Sequence, residues 1–143
     1  MNIVYSTGPV ENAAGNASVS TWVKVLNLSQ SQEIVVEAKV YRLNGQKSEI
    51  ASSSFTVAPL SSDFDVFEIA DILQYEVQIA VSDGQNALVS VWGKDADANL
   101  LCAHRFVQNE LNIISNVSSS NAINRSAVNR VSNNYHKKRP RKR

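Results

Sequence analysis

Cys102 and His104 are the residues whose types and spacing come nearest to a nucleophile and its base. Two residues apart on a strand, they would share one face, and an imidazole beside a thiol is how a cysteine nucleophile is activated. Neighbours on one strand face are about 7 Å apart, which is too far for a direct hydrogen bond without a bend. We therefore predict a structural role instead, with a buried cysteine beside a histidine at the rim of the sheet.

Asp95, Asp97 and Asn99 have the D-x-D-x-N spacing that opens an EF-hand calcium loop. The sixth loop position, which should be glycine, is Leu100, and the twelfth, which should be glutamate, is Phe106. The metal loop is incomplete, and Asp and Asn are also ordinary turn residues. The sequence therefore predicts a hairpin loop here and no bound metal.

An acidic run surrounds two phenylalanines in the middle of the chain. Its members are Asp63, Asp65, Glu68 and Asp71. Paired carboxylates could serve as the acid and base of a glycosidase, but no pattern in the sequence brings these four into one cleft. We predict a solvated strand face that repels like-charged neighbours at a sheet edge.

Trp22 and Trp92 fall on the polar side of their strands, beside Lys24 and Lys94. Exposed aromatic rings could stack on sugars or anchor a protein interface. The alternative is that the two tryptophans cap the edge of the core, and this interpretation is favoured because tryptophan is usually mostly buried.

No other motif indicates chemistry. The sequence contains no P-loop, nucleophile elbow, zinc-protease or dinucleotide-binding pattern, and four N-x-S matches arise by chance in an Asn- and Ser-rich chain. One cysteine cannot form a disulfide framework or a zinc site. We expect a protein that is not an enzyme and needs no cofactor. The first residues show no basic and apolar signal-peptide pattern and no apolar run reaches 18 residues, so we expect neither export nor membrane insertion.

The elements that must position these residues are short strands. Residues 75–82 alternate between apolar and polar side chains, which is typical of a half-buried strand. About eight strands are predicted near residues 2–7, 17–28, 33–43, 46–57, 62–69, 74–82, 87–94 and 99–108. Asn44-Gly45 predicts a type I′ hairpin turn, and residues 69–74 predict one helical turn at most. Hairpin spacing implies an all-β, antiparallel β-sandwich, with a closed barrel as the alternative.

The charge divides the chain into two parts. Residues 1–114 carry thirteen acidic and six basic side chains, a net charge of −7, whereas residues 115–143 carry eight basic side chains and no acid. The second part is also rich in Asn and Ser and lacks Phe, Leu and Trp, so it cannot bury a core. We predict a β-sandwich domain over 1–114 and a disordered basic tail over 115–143. The predicted partner-binding residues are Lys137, Lys138, Arg139, Arg141, Lys142 and Arg143.

The sequences of the predicted strands and turns in residues 1–114 resemble those of small β-sandwich proteins of endospore-forming bacilli that are associated with the spore coat. The segments that carry this resemblance are residues 4–9, 25–29, 40–45, 54–59 and 75–79. The resemblance implies a structural protein made in the mother-cell cytoplasm and deposited on the forespore. It brings no site motif.

Three functions are compatible with these features. The leading hypothesis is a non-enzymatic assembly protein of the spore coat, whose basic tail contacts other coat proteins, anionic surface polymers or a second copy of the chain. The second is a nucleic-acid-binding protein acting through the Lys/Arg cluster, although the acidic body would repel a duplex. The third is a carbohydrate-binding module that uses Trp22 or Trp92.

Overall fold

The computed structural model describes residues 2–15 and 17–114, which form two antiparallel sheets packed face to face. In chain order the strands are β1 Ile3–Ser6, β2 Val10–Glu11, β3 Ser20–Asn27, β4 Ile34–Leu43, β5 Lys47–Val57, β6 Ser62–Glu68, β7 Gln74–Val81, β8 Ala87–Lys94, β9 Leu100–Phe106 and β10 Asn112–Ile113. Sheet I has the order β10-β1-β7-β4-β5, with β2 also paired to β7, and sheet II has the order β6-β3-β8-β9. The predicted antiparallel β-sandwich is confirmed.

The core lies between the two sheets and is built by strict alternation. Tyr75, Val77, Ile79 and Val81 of β7 are all buried, as the period of two predicts. The inward faces of β4, β3 and β8 repeat the pattern. Their fully or nearly fully buried residues are Val36, Ala38, Val40, Val23, Val25, Val89 and Val91. β-Branched side chains dominate because they pack well on a pleated, half-buried surface.

The eight predicted strands are present, and the structure adds two more. β2 and β10 are two residues each, too short for any periodicity to reveal, and they exist because β7 and β1 offer them backbone partners. A 3₁₀ helix at Gln108–Glu110 also escaped prediction. Where one helical turn at most was expected after β6, the chain forms a β-turn, in which Ile72 N–H donates to the Ile69 carbonyl at 3.1 Å and Asp71 has a positive φ of 63°.

The hairpin between β4 and β5 corrects the predicted turn type. Leu43 pairs with Lys47, so the loop has three residues, 44–46. Only Gly45 has a positive φ, at 88°, whereas a type I′ turn needs two such residues. The hairpin itself is where Asn44-Gly45 placed it.

The pairing of β8 with β9 contains an irregularity that matters for the site residues. Trp92 pairs with Arg105, but Lys94 pairs with Leu100, so β9 has extra residues between these two points. Such a bulge breaks the alternation of side chains between the two faces of a strand. It covers Cys102.

The prediction of a disordered tail over 115–143 falls outside the described residues, as does the Lys/Arg cluster. Among the residues that are described, no helix is long and apolar enough to cross a membrane.

Candidate interaction surfaces

The outer face of sheet II carries the same five-residue pattern twice. Residues 20–24 and 90–94 both read Ser-x-Trp-x-Lys, on the adjacent antiparallel strands β3 and β8. Trp22 is the cross-strand partner of Trp92, and each serine lies opposite the other strand's lysine. The two copies are therefore related by a local two-fold axis that passes between the tryptophans.

Each indole satisfies its polar edge within its own copy of the pattern. Trp22 Nε1–H donates to Ser20 Oγ at 3.0 Å, and Trp92 Nε1–H donates to Ser90 Oγ at 2.8 Å. A buried or half-buried indole N–H needs such an acceptor. The serine two residues earlier supplies this acceptor for each indole. Both rings therefore lie side by side and half-buried on the outer face without an unpaired N–H group.

Trp22 has close neighbours from both flanking strands. Phe64 of β6 stacks on it, with ring centroids 5.3 Å apart and planes 22° from parallel. Lys94 of β8 places its Nζ 3.8 Å from the Trp22 centroid, a cation–π contact. Because β6 and β8 flank β3, Phe64 and Lys94 reach the Trp22 ring from the two neighbouring strands and cover part of it.

Two further cations lie over rings of this surface. Lys24 Nζ is 5.4 Å from the centroid of Phe64, and Arg105 Cζ is 5.7 Å from that of Trp92. Arg105 also forms an exposed ion pair with Glu110, at 3.7 Å. Lys24 and Lys94 form no ion pair with any residue in the described ranges. We call the outward side chains of Trp22, Lys24, Phe64, Trp92, Lys94 and Arg105 the aromatic–cationic face.

An apolar groove of about 560 Å³ extends from this face toward the other end of sheet II. Leu26 and Leu88, cross-strand partners, line it together with Phe64 and Trp92. Leu26 is 38%, Leu88 46% and Phe64 50% exposed. Large apolar side chains that are exposed and contiguous mark a surface able to contact a partner.

The outer face of sheet I is different, since its charges are paired with each other. Glu76 on β7 is buried and accepts hydrogen bonds from Ser6 of β1 and Gln78. Lys47 of β5 contacts the same carboxylate at 2.6 Å and lies 4.2 Å from the centroid of the Tyr41 ring. Burial tends to raise the pKa of Glu76, but the hydrogen bonds from Lys47, Ser6 and Gln78 outweigh burial and lower it. This network links four strands of sheet I.

The acidic run lies mostly on β6, which is an edge strand of sheet II as the sequence suggested. Odd-numbered residues of this segment bond to β3, as the carbonyl of Ser61 and the N–H of Ile69 show, so even-numbered N–H groups face the open edge. Asp63 accepts from Phe64 N–H and Asp65 accepts from Val66 N–H, each at 2.8 Å. The two carboxylates thus cover donors that a further strand would use.

The predicted arrangement of Cys102 and His104 is wrong. Cys102 is exposed, and His104 is the buried member of the pair, at 6% exposure. The cause is the bulge in β9, which breaks the alternation that the prediction assumed. The nucleophile–base pair is not formed by these residues.

His104 instead joins two distant segments. Its Nε2 lies 2.7 Å from the Glu11 carbonyl oxygen, and its Nδ1 lies 2.6 Å from Ser18 Oγ. Since a carbonyl only accepts, Nε2 carries the proton in the neutral ring, and Nδ1 accepts from the Ser18 hydroxyl. Ser18 is 1% and His104 6% exposed, so the contact between the serine and the histidine is buried. The sequence offered no signal for it, because 86 residues separate the partners.

The loop at residues 95–99 is an ordinary turn. Asp95 Oδ1 accepts from the N–H groups of Asp97 and Asn99, both at 2.9 Å, so the carboxylate is used within the loop. No cluster of metal-binding side chains is found in residues 2–15 and 17–114.

Comparison with known proteins finds only distant similarity to solved structures. No protein-family model matches the chain, and no curated protein matches it significantly. Two similar solved structures are the Anabaena sensory rhodopsin transducer, with 16% identity, and Thermotoga maritima 1070, with 9% identity. The first has a TM-score of 0.46, with 67% of this chain and 90% of that chain covered. For the second the values are 0.43, 78% and 90%.

Proposed function

We propose that the chain is a non-enzymatic structural and assembly protein of the bacterial spore coat, made in the mother cell, whose basic C-terminal segment contacts anionic partners. The observation that carries the proposal is the division of charge, with a net −7 over residues 1–114 and eight basic residues without an acid over 115–143. The resemblance of the strand and turn segments to spore-coat β-sandwich proteins supplies the setting.

The sandwich supports this proposal by leaving most of its carboxylates available. Of its thirteen acidic residues, only four form ion pairs with described residues. They are Glu37, Glu49, Glu76 and Glu110. The remaining carboxylates can receive a basic segment from another molecule. One exposed ion pair contributes only about 0–1 kcal/mol, but several on one segment act together through effective concentration.

Self-association at low and high salt tests the proposal. The full chain should associate at low salt and dissociate as salt screens the contacts. Replacement of all six cluster residues, Lys137, Lys138, Arg139, Arg141, Lys142 and Arg143, by glutamine should abolish this association in sedimentation velocity. A control chain with residues 115–143 in scrambled order keeps the charge and should still associate. Equal association of the glutamine variant would overturn the proposal.

The setting needs its own measurement. Transcript levels through sporulation, together with a fluorescent fusion to the full chain, should show late mother-cell expression and a signal around the forespore. Expression confined to vegetative growth would overturn the spore-coat setting and leave the electrostatic assembly to be judged by the salt experiment.

Nucleic-acid binding is the second candidate, since eight basic residues on one segment would contact phosphates. Log affinity for duplex DNA would then fall by about 0.9 per phosphate contact for each unit of log salt. A salt titration with a fluorescent duplex separates the two functions. Tight binding near physiological salt would favour the nucleic-acid candidate, whereas the assembly proposal expects none.

A further inference from the structure

We propose that the aromatic–cationic face of sheet II is a docking site for an acidic protein segment that also carries apolar side chains. The site consists of the paired tryptophans, Lys24 and Lys94, and the groove that ends at Leu26 and Leu88. This inference goes beyond the proposed function, because it places a second attachment point on the folded domain and does not involve residues 115–143.

Charge complementarity identifies the acidic character of the partner. Residues 1–114 are strongly acidic overall. On this face, however, only Arg105 of the three cations forms an ion pair with a described residue. Lys24 and Lys94 lie over aromatic rings and form no ion pair with any described carboxylate. By contrast, Lys39 and Lys47 on sheet I are paired with glutamates. Cations held in place over rings and lacking a counter-ion offer two positions for carboxylates of a partner.

The groove identifies the apolar character of the partner. The exposed fractions of Leu26, Leu88 and Phe64 lie between 38% and 50%, and all three line one depression with Trp92. Tryptophan and arginine at the centre with aliphatic side chains around them is the composition of protein-interaction hot spots. A segment with carboxylates near the lysines and leucine-like side chains in the groove would satisfy both parts.

Other ligands fit less well. Single-stranded nucleic acid needs bases stacked on open rings and a row of cations along its backbone. Here Phe64 and Lys94 already contact the Trp22 ring, and Arg105 is shared with Glu110. The same contacts with Trp22 disfavour a sugar, and neither ligand explains the exposed leucine pair.

Fluorescence tests the site directly, because Trp22 and Trp92 are the only tryptophans in the chain. The probe is a synthetic peptide of alternating glutamate and leucine, titrated into the full chain. We expect saturable change in tryptophan emission. The double variant K24Q/K94Q, at outward positions that do not enter the core, should weaken binding by about three- to thirtyfold through loss of two carboxylate contacts.

The matched control is K39Q/R42Q, which removes the same charge from sheet I and should bind like the wild type. A peptide of glutamate alone should bind more weakly, because it cannot fill the groove. Equal binding by K24Q/K94Q, or equal affinity for the all-glutamate peptide, would overturn the proposal. So would stronger competition by oligothymidylate or a chitooligosaccharide than by the peptide. Neutralising the six cluster residues should leave the fluorescence change intact, which separates this site from the proposed function of the tail.

Discussion

Trp22 and Trp92 are direct cross-strand partners, each donating its indole N–H to the serine two residues earlier on its own strand. The two copies of the pattern differ in their lysines, since Lys94 lies over the Trp22 ring whereas Lys24 lies nearest to Phe64. They also differ in what the flanking strands add. β6 stacks Phe64 on Trp22, whereas β9 places Arg105 over Trp92. A locally symmetric pair therefore becomes an asymmetric surface, in which the groove lined by Leu26 and Leu88 includes Trp92 and Phe64.

Gly93 follows Trp92 on β8, and its backbone lies against the contact between Ser18 and His104. The lack of a side chain at this position is required there. A Cβ at this position would lie 2.3 Å from Ser18 Oγ and 2.6 Å from His104 Cβ. G93A should therefore destabilise the protein by about 1–3 kcal/mol or more, because Ser18 and His104 are buried and cannot move freely. Urea denaturation measures the loss.

The control for this substitution is G15A. A Cβ at Gly15 would meet nothing within 4 Å, so its effect should stay within about 0.5 kcal/mol. Similar stability of G93A and the wild type would contradict the tight packing described around His104.

The Glu76 network predicts a loss of stability in acid. Glu76 has a pKa below its ordinary value of 4.5 in the folded state. Its contribution is therefore complete above the unfolded pKa and is lost as pH falls through the folded one. At neutral pH, E76Q should be less stable than the wild type by about 1–3 kcal/mol, because the substitution removes the carboxylate that pairs with Lys47.

Denaturation of both proteins from neutral pH downward checks this. The difference between wild type and E76Q should shrink below pH about 4.5. E37Q, which breaks only an exposed pair with Lys39, should change the stability much less than E76Q does. A pH-independent difference between wild type and E76Q would contradict the lowered pKa.

The alternation of apolar and polar residues was sufficient to predict the strands and which of their residues are buried. Tyr75 and Val77 are buried because a period of two puts them on one face, and the same rule found the sandwich. It also put Trp22 and Trp92 on the polar side of their strands, although it favoured a place at the edge of the core. It did not show that they are partners, because register is a property of two strands together. The repeated Ser-x-Trp-x-Lys pattern was the available signal for their pairing.

Prediction failed where a single strand departs from its period. The bulge in β9 lies between the pair Trp92–Arg105 and the pair Lys94–Leu100, and no property of Cys102 or His104 reveals it. The partners of His104 come from chain segments far away in sequence, Glu11 and Ser18. Long-range contacts of this kind follow from topology, which local pattern cannot supply.

Cys102 should react freely in the native protein. Its side chain is exposed on the bulge, so a thiol reagent should label it without denaturant, and C102S should change stability by less than about 0.5 kcal/mol. H104A, two residues away, should cost about 1–3 kcal/mol because Ser18 loses a buried partner. A need for denaturant during labelling would contradict the bulge geometry.

The open edge of β6 should pair with a strand of another molecule when its carboxylates are removed. Asp63 and Asp65 cover the outward N–H groups of Phe64 and Val66 and add like charge to an edge that would otherwise accept another strand. D63A/D65A should increase self-association by about tenfold or more, with D63N/D65N intermediate because the amide oxygen can still accept the hydrogen bond.

Sedimentation velocity measures this association best in the chain whose six cluster residues are glutamine, since association through the tail is then removed. E33A/E37A is the matched control, because it deletes two carboxylates at the central strand β4 and just before it, away from any open edge. We expect it to sediment as the parent does. If D63A/D65A also sediments as the parent does, the two aspartates do not protect the edge, and the short length and twist of β6 must be sufficient to keep another strand away.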